Sequence, residues 1–187
     1  LSYHLANINK QARFTLVDYL EEAVKIAKDM NIDNKNRFSI NTDNIYELKL
    51  EKDKFDFVFC WQTLSWLDNP KEALLELIKI TKPKGKIYLS SLFNLEHDVD
   101  IFSKVYDRSM HSGKSDSYSF YNTYSEYTVK SWLKDKVDSF KIHKFETPIP
   151  FEYDGRGLGT YTKKCEDGYI QISAGMLMNW GILEITK

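Results

Sequence analysis

Two apolar runs, FDFVFC at 55–60 and KIYLSSLF at 86–93, stand either side of the amphipathic stretch NPKEALLELIKIT. A strand apolar on both sides of its pleat is expected to be buried on both faces, which is the habit of parallel strands. Two parallel strands need a crossover, and a helix between them supplies the right-handed one. Asp68 or Asn69 is placed to cap that helix, and Pro70 falls in its first turn, where the missing N–H is not needed. The helix then runs out at Lys82-Pro83-Lys84-Gly85, where Pro83 and Gly85 set the turn into the next strand.

The same alternation extends upstream. LSYHLANI reads as a helix with Leu1, Leu5 and Ile8 on one face, RFTLVD as a short strand ending in Asp18, and YLEEAVKIAKDM as a helix lined by Leu20, Val24, Ala27 and Met30. RFSIN is a second short strand, and TDNIYEL a turn or short helix after it. From Leu1 to residue 93 the order is helix, strand, helix, strand, short helix, strand, helix, strand. That order predicts an α/β fold with a doubly wound, mostly parallel sheet. A sheet of this kind opens with a strand and a glycine-rich turn before its first helix. Leu1 already lies in that helix, so upstream residues are expected, with a truncated protein as the alternative.

Beyond residue 93 the pattern is less regular. NLEHDVDIFSKVYDRSM is predicted to be mostly helical, HSGKSDSYSFYNTY a polar and aromatic loop, and SEYTVKSWLKDK a helix capped by Ser125. FKIHKFE is a strand, the 151–173 stretch a loop and a hairpin turning near Asp167-Gly168, and NWGILEITK a closing strand. The whole chain, 1–187, is expected to be one domain, with 94–124 and 146–175 as candidate lids or pocket insertions.

Composition narrows the partners. Net charge is −1, and lysines alternate with acids rather than forming a basic stripe, so neither nucleic acid nor a membrane surface is an expected partner. Cys60 and Cys165 form neither a disulfide framework nor a metal-ligand spacing, no metal site is expected, and a cytoplasmic protein is the default. The four arginines stand out against the lysine-rich background.

Three segments together resemble the class I S-adenosylmethionine-dependent methyltransferases: FTLVDYLEEAVKIAKDM, FSINTDNIYEL, and FDFVFCWQTLSWLDNPKEALLELIKITKPKGKIYLSS. The resemblance is close over residues 1–93 and loose thereafter, and Lys84 departs from the family's K-P-G-G turn. It implies a seven-stranded sheet whose first strand is not in view, an antiparallel final strand, and S-adenosyl-L-methionine as cofactor. Asp18, with Tyr19 beside it, then falls where a carboxylate accepts from the ribose hydroxyls; a helix cap is the alternative. Asp43 and Asn44 fall at the adenine edge with Ile45 against the ring, and an Asx turn is the alternative. Cys60, Trp61 and Gln62 leave the most apolar strand, where the family flanks the methionine part of the cofactor.

The acceptor side is less marked. His97 is a candidate base for an alcohol or phenol. Arg108, Tyr121 and Arg156 are candidate substrate contacts, compatible with a sugar, nucleotide-linked or phosphorylated small molecule. The expected reaction is in-line methyl transfer to an oxygen, or secondarily a nitrogen, by a monomer or homodimer. An NAD-dependent oxidoreductase and a non-catalytic methyltransferase-like scaffold are the alternatives.

Overall fold

The computed structural model describes residues 1–95, 97–106, 118–144, 149–153, 160–166, 168–173, 176–177 and 180–187. They divide into two compact units, Leu1–Glu51 and Lys52–Lys187.

The first unit contains α1 (Ser2–Ile8), β1 (Phe14–Asp18), α2 (Glu21–Met30), a 3-10 stretch (Ile32–Arg37) and β2 (Phe38–Thr42). β1 and β2 pair in parallel from Phe14↔Phe38 to Asp18↔Thr42, and the two opening rings stack with centroids 4.8 Å apart. The short α1 leaves carbonyls at its end that have no donor within the helix. Arg37 supplies donors there: its guanidinium reaches the carbonyls of Ala6, Asn9 and Ala12 at 3.0, 2.9 and 3.2 Å. One of the four arginines is thereby a structural clasp.

The second unit contains β3 (Phe55–Trp61), a 3-10 turn (Leu64–Trp66), α3 (Pro70–Ile80) and β4 (Thr81–Asn94). Then come β5 (Lys104–Val105), β6 (Ser119–Phe120), β7 (Tyr124–Ser125), α4 (Glu126–Leu133) and β8 (Ser139–Lys144). β9 (Thr160–Cys165), β10 (Gly168–Ser173), β11 (Met176–Leu177) and β12 (Trp180–Thr186) complete it. Its main sheet runs β3-β4-β12-β8, with β7 beside the end of β4. β3 is parallel to β4, and β12 is antiparallel to both β4 and β8. Ile87, Leu89, Leu183 and Ile185 are fully buried on the packed face of the sheet, and Ala73, Leu74, Leu77 and Ile78 of α3 are buried at helical spacing. Fully burying such a side chain contributes about 1.5–3 kcal/mol.

The crossover helix with Pro70 at its start, the antiparallel final strand, and the β9–β10 hairpin agree with the sequence pattern. Ser125 caps α4, accepting a hydrogen bond from the Thr128 N–H.

The described strands form an α/β fold with mixed-topology sheets: β1-β2 in the first unit and β3-β4-β12-β8, with β7 on β4, in the second. Two expectations are corrected. β3 is covered on one face, not two: Val58 and Cys60 are buried, whereas Phe57, Phe59 and Trp61 on the other side of the pleat are 58%, 42% and 48% exposed. The described residues 97–106 are not helical. Asn94 folds the chain back by accepting from the His97 N–H and donating to the Val99 carbonyl. Ile101 then bridges Thr123, and β5 pairs with β6.

The 82–85 turn is a loop-out within β4. β3 advances from Phe55 to Phe57 while its partner advances from Thr81 to Lys86. Lys84, not Gly85, takes the left-handed backbone, at φ 67°. Gly85 is required for space: a Cβ there would lie 2.7 Å from Thr81 Cγ2 and 2.9 Å from the Lys82 carbonyl oxygen. A left-handed non-glycine residue costs roughly 1–2 kcal/mol, and the Lys84–Asp138 pair lost on substitution is an exposed one at 3.6 Å that contributes little. Lys84→Gly should therefore stabilise by about 0.5–1 kcal/mol, whereas Gly85→Ala should destabilise by about 1–3 kcal/mol. Thermal unfolding checks both, with Tm moving in opposite directions for the two variants.

Candidate active site

The predicted site residues that the structure describes fall in two groups, one in each unit. In the first unit, β1 and β2 end side by side because they pair in parallel and in register. The Asp43 N–H donates to the Asp18 carbonyl at 3.0 Å, which holds the two acids at neighbouring strand ends. Asp18 receives the Leu20 N–H on Oδ1 at 2.9 Å, the turn-forming contact that opens α2. Its Oδ2 accepts no hydrogen bond among the described residues. Asp18 is exposed, and so is Tyr19 beside it, at 74%.

Asp43 is more committed. Oδ1 accepts from the Asn44 N–H at 2.9 Å and Oδ2 from the Lys49 N–H at 3.0 Å. The Asn44 side chain accepts from the Tyr46 N–H, so TDNIYEL is an Asx-type turn, and Ile45 is half-buried beside it. A carboxylate has about four acceptor positions, so Asp43 can hold this loop and still accept from a ligand donor.

In the second unit, β3 delivers Cys60, Trp61 and Gln62 at its carboxyl end, where open α/β sheets bind ligands. Gln62 has φ 52°, in the left-handed region that a non-glycine side chain resists, and its N–H donates to the Ser90 carbonyl on β4 at 3.0 Å. Backbone strain of this kind gathers at ligand sites. Trp61 is half-exposed; Cys60 faces the core, and burial pushes its thiol up to about 11.

His97 lies on the loop that follows β4, exposed, in a shallow depression with Asn94, Asp98, Glu126, Tyr127 and Lys130. Its backbone is fixed through Asn94, and its ring accepts or donates no hydrogen bond among the described residues. Tyr121 is 5% exposed, with its ring 4.9 Å from that of Trp66, so it packs inside the fold instead of presenting a hydroxyl to solvent. Arg108 and Arg156 lie outside the described residues, as do parts of the 94–124 and 146–175 segments.

Sequence reasoning missed Asn122, which is 1% exposed. It donates its N–H to the Ser65 carbonyl at 2.8 Å and its amide to the Leu67 carbonyl at 3.0 Å, and accepts from the Ser103 N–H at 3.1 Å. The loop after β3 is tied by this one side chain and its backbone to the β5–β6 ribbon. Ser65 adds a hydroxyl contact with Ser91 of β4 at 2.7 Å. The polar run YNTY is the only local signal, and it looks like a loop.

Acids at the carboxyl ends of parallel strands, and a strained turn after an apolar strand, each stand at the edge where open α/β sheets take ligands. Residues 1–89 match the family described as a methyltransferase domain. An uncharacterized methyltransferase of Schizosaccharomyces pombe is 35% identical over 72 residues, which are 38% of this chain and 26% of that protein. The chain thus spans about a quarter of the length of that curated relative. Among solved structures, YcgJ from Bacillus subtilis is 12% identical, with 94% of this chain and 82% of that one covered at a TM-score of 0.63. A SAM-dependent methyltransferase from Methanosarcina mazei is 14% identical, with 100% and 86% covered at 0.60. The [4+2]-cyclase SpnF is 14% identical, with 76% and 48% covered at 0.55.

The raised Cys60 value has a direct consequence. A thiol titrating near 11 is protonated at pH 8, and only the thiolate alkylates readily. Iodoacetamide at pH 8 should label exposed Cys165 in the native protein and leave Cys60 unmodified until the chain is unfolded, as read by intact mass and peptide mapping.

Proposed function

We propose that the protein transfers a methyl group from S-adenosyl-L-methionine to an oxygen, or secondarily a nitrogen, of a small-molecule acceptor. The observation that carries this reading is the pair Asp18 and Asp43, linked through the backbone at adjacent ends of β1 and β2. Ribose and adenine are adjacent parts of one nucleoside, and two acids on neighbouring parallel strands have the matching arrangement. Asp18 would accept from the ribose hydroxyls through the oxygen that the α2 turn leaves unused. Asp43 and the Asn44 backbone would meet the adenine edge, with Ile45 against the ring.

When bound, the cofactor supplies an electrophilic methyl group on a sulfonium. The protein's task is to hold the acceptor in line with it and to exclude water, because positioning alone supplies much of such a rate. His97 would take the proton that an alcohol or phenol releases as its oxygen gains the methyl group. In that transfer the sulfur–methyl bond's electron pair would stay on sulfur as the acceptor oxygen's pair forms the new bond, with S-adenosylhomocysteine as the other product.

The solved fold neighbour SpnF is titled a [4+2]-cyclase, and a shared fold does not by itself specify a reaction. Binding and transfer are therefore separate measurements. Titration of the full-length protein with S-adenosylhomocysteine should show micromolar affinity, with none for NAD. Asp18→Ala should weaken it about 10- to 100-fold, the loss of one or two hydrogen bonds to a charged acceptor. Asp18→Asn keeps an oxygen for the Leu20 N–H and should show a smaller loss with unchanged Tm, which separates ribose binding from the turn contact. Absence of S-adenosylhomocysteine binding by the folded protein would defeat this reading. Binding without transfer to any acceptor would favour a non-methylating use of the fold.

A further inference from the structure

The β5–β6 ribbon is short and carries an unusual density of exposed rings. Tyr106 and Tyr118 are each about half exposed, with ring centroids 5.7 Å apart, and Tyr118 meets Phe120 edge to face at 5.5 Å. The ammonium of Lys104 stands 4.3 Å from the Tyr118 ring centroid. Among the described residues, no carboxylate pairs with this ammonium. A lysine drawn onto a ring face is positioned by that contact, and its charge remains available to an anion approaching from solvent.

The ribbon's place in the fold gives these rings a use. Tyr121, at the end of β6, packs on Trp66, and its N–H donates to the Ser103 carbonyl. Asn122 binds the ribbon to the Ser65 and Leu67 carbonyls of the loop that leaves β3. The aromatic ribbon is therefore fastened to the loop that follows β3. Rings there offer stacking surface, and a fixed cation offers charge recognition.

We propose that Lys104, Tyr106 and Tyr118 form an acceptor-recognition wall selective for a ring-bearing molecule that carries an anionic group, a carboxylate or a phosphate. The inference rests on the methyl-transfer reading for its purpose but not for its detection. The ring stacks on the exposed tyrosines while the anion pairs with the Lys104 ammonium. Lys104 is a specificity residue in this role, and the cofactor contacts do not depend on it.

The test is calorimetric titration of the full-length protein with phenyl phosphate, in the presence and absence of S-adenosylhomocysteine. Phenol and inorganic phosphate serve as comparison probes. Phenyl phosphate should bind at least tenfold more tightly than either, and raising the salt from 50 to 500 mM should weaken it, as screening of an exposed ion pair requires. Lys104→Gln should weaken phenyl phosphate about tenfold while leaving phenol and S-adenosylhomocysteine unchanged, and Lys104→Arg should restore most of the loss. Equal affinity for phenol and phenyl phosphate would overturn the proposal, as would an unaltered Lys104→Gln variant. Tighter binding of inorganic phosphate than of phenyl phosphate would replace the wall with a bare anion site and overturn it too. Failure of S-adenosylhomocysteine alone to bind would strike the methyl-transfer reading, whereas the wall is read from the titrations without it.

Discussion

β4 is hydrogen-bonded along both edges, in parallel to β3 and antiparallel to β12. This double commitment fixes most of the second unit. Its residues Ile87, Leu89 and Phe93 have no exposed surface, so a slip of one residue would turn three apolar side chains out and polar ones in. The register also sets where β3 ends, because the Gln62 N–H is held by the Ser90 carbonyl. The strained turn and the Trp66 loop after it are consequences of that pairing, not independent features. Gly181 shows how tight the arrangement is: a Cβ there would lie 2.7 Å from the Phe93 ring.

From β4 outward, order is carried by polar groups that apolar packing alone could not place. Ser65 and Ser91 meet inside the fold, Tyr124 donates to the Leu64 carbonyl at 3.1 Å, and Asn122 bridges three segments. Each group is buried, so leaving one unpaired would cost roughly 1–3 kcal/mol. A network of that kind permits one arrangement of loop and ribbon and disfavours others.

Local pattern made the strand–helix–strand core around 55–93 legible, because parallel pairing and helical amphipathicity both leave periodic signatures. The cap at Ser125 and the hairpin at Gly168 were legible for the same reason, each resting on the chemistry of a few neighbouring residues. The 94–106 segment was misread as helical because NLEHDVDIF has helical spacing. The Asn94 turn, the Ile101–Thr123 bridge and the β5–β6 pairing override it, the last two through contacts between residues 14 or more apart. The acids after β1 and β2 were readable as strand-end residues from position. Asn122 and Lys104 were not, since a buried asparagine clasp and a lysine over a ring depend on tertiary neighbours.

Asp18 and Asp43 show why the alternatives of cap and ligand contact need not compete. A carboxylate has more acceptor positions than one turn consumes. In Asp18 the α2 turn takes one oxygen and leaves the other directed elsewhere. In Asp43 the loop takes both oxygens, one bond each, and thereby fixes the plane of the group. An acid whose orientation is set by backbone donors is preorganised for a further donor, because the entropic cost of ordering it has already been met in folding. On the proposed reading the structural contacts would then contribute to ligand affinity, with Asp43 as the more rigid acceptor and Asp18 as the more available one.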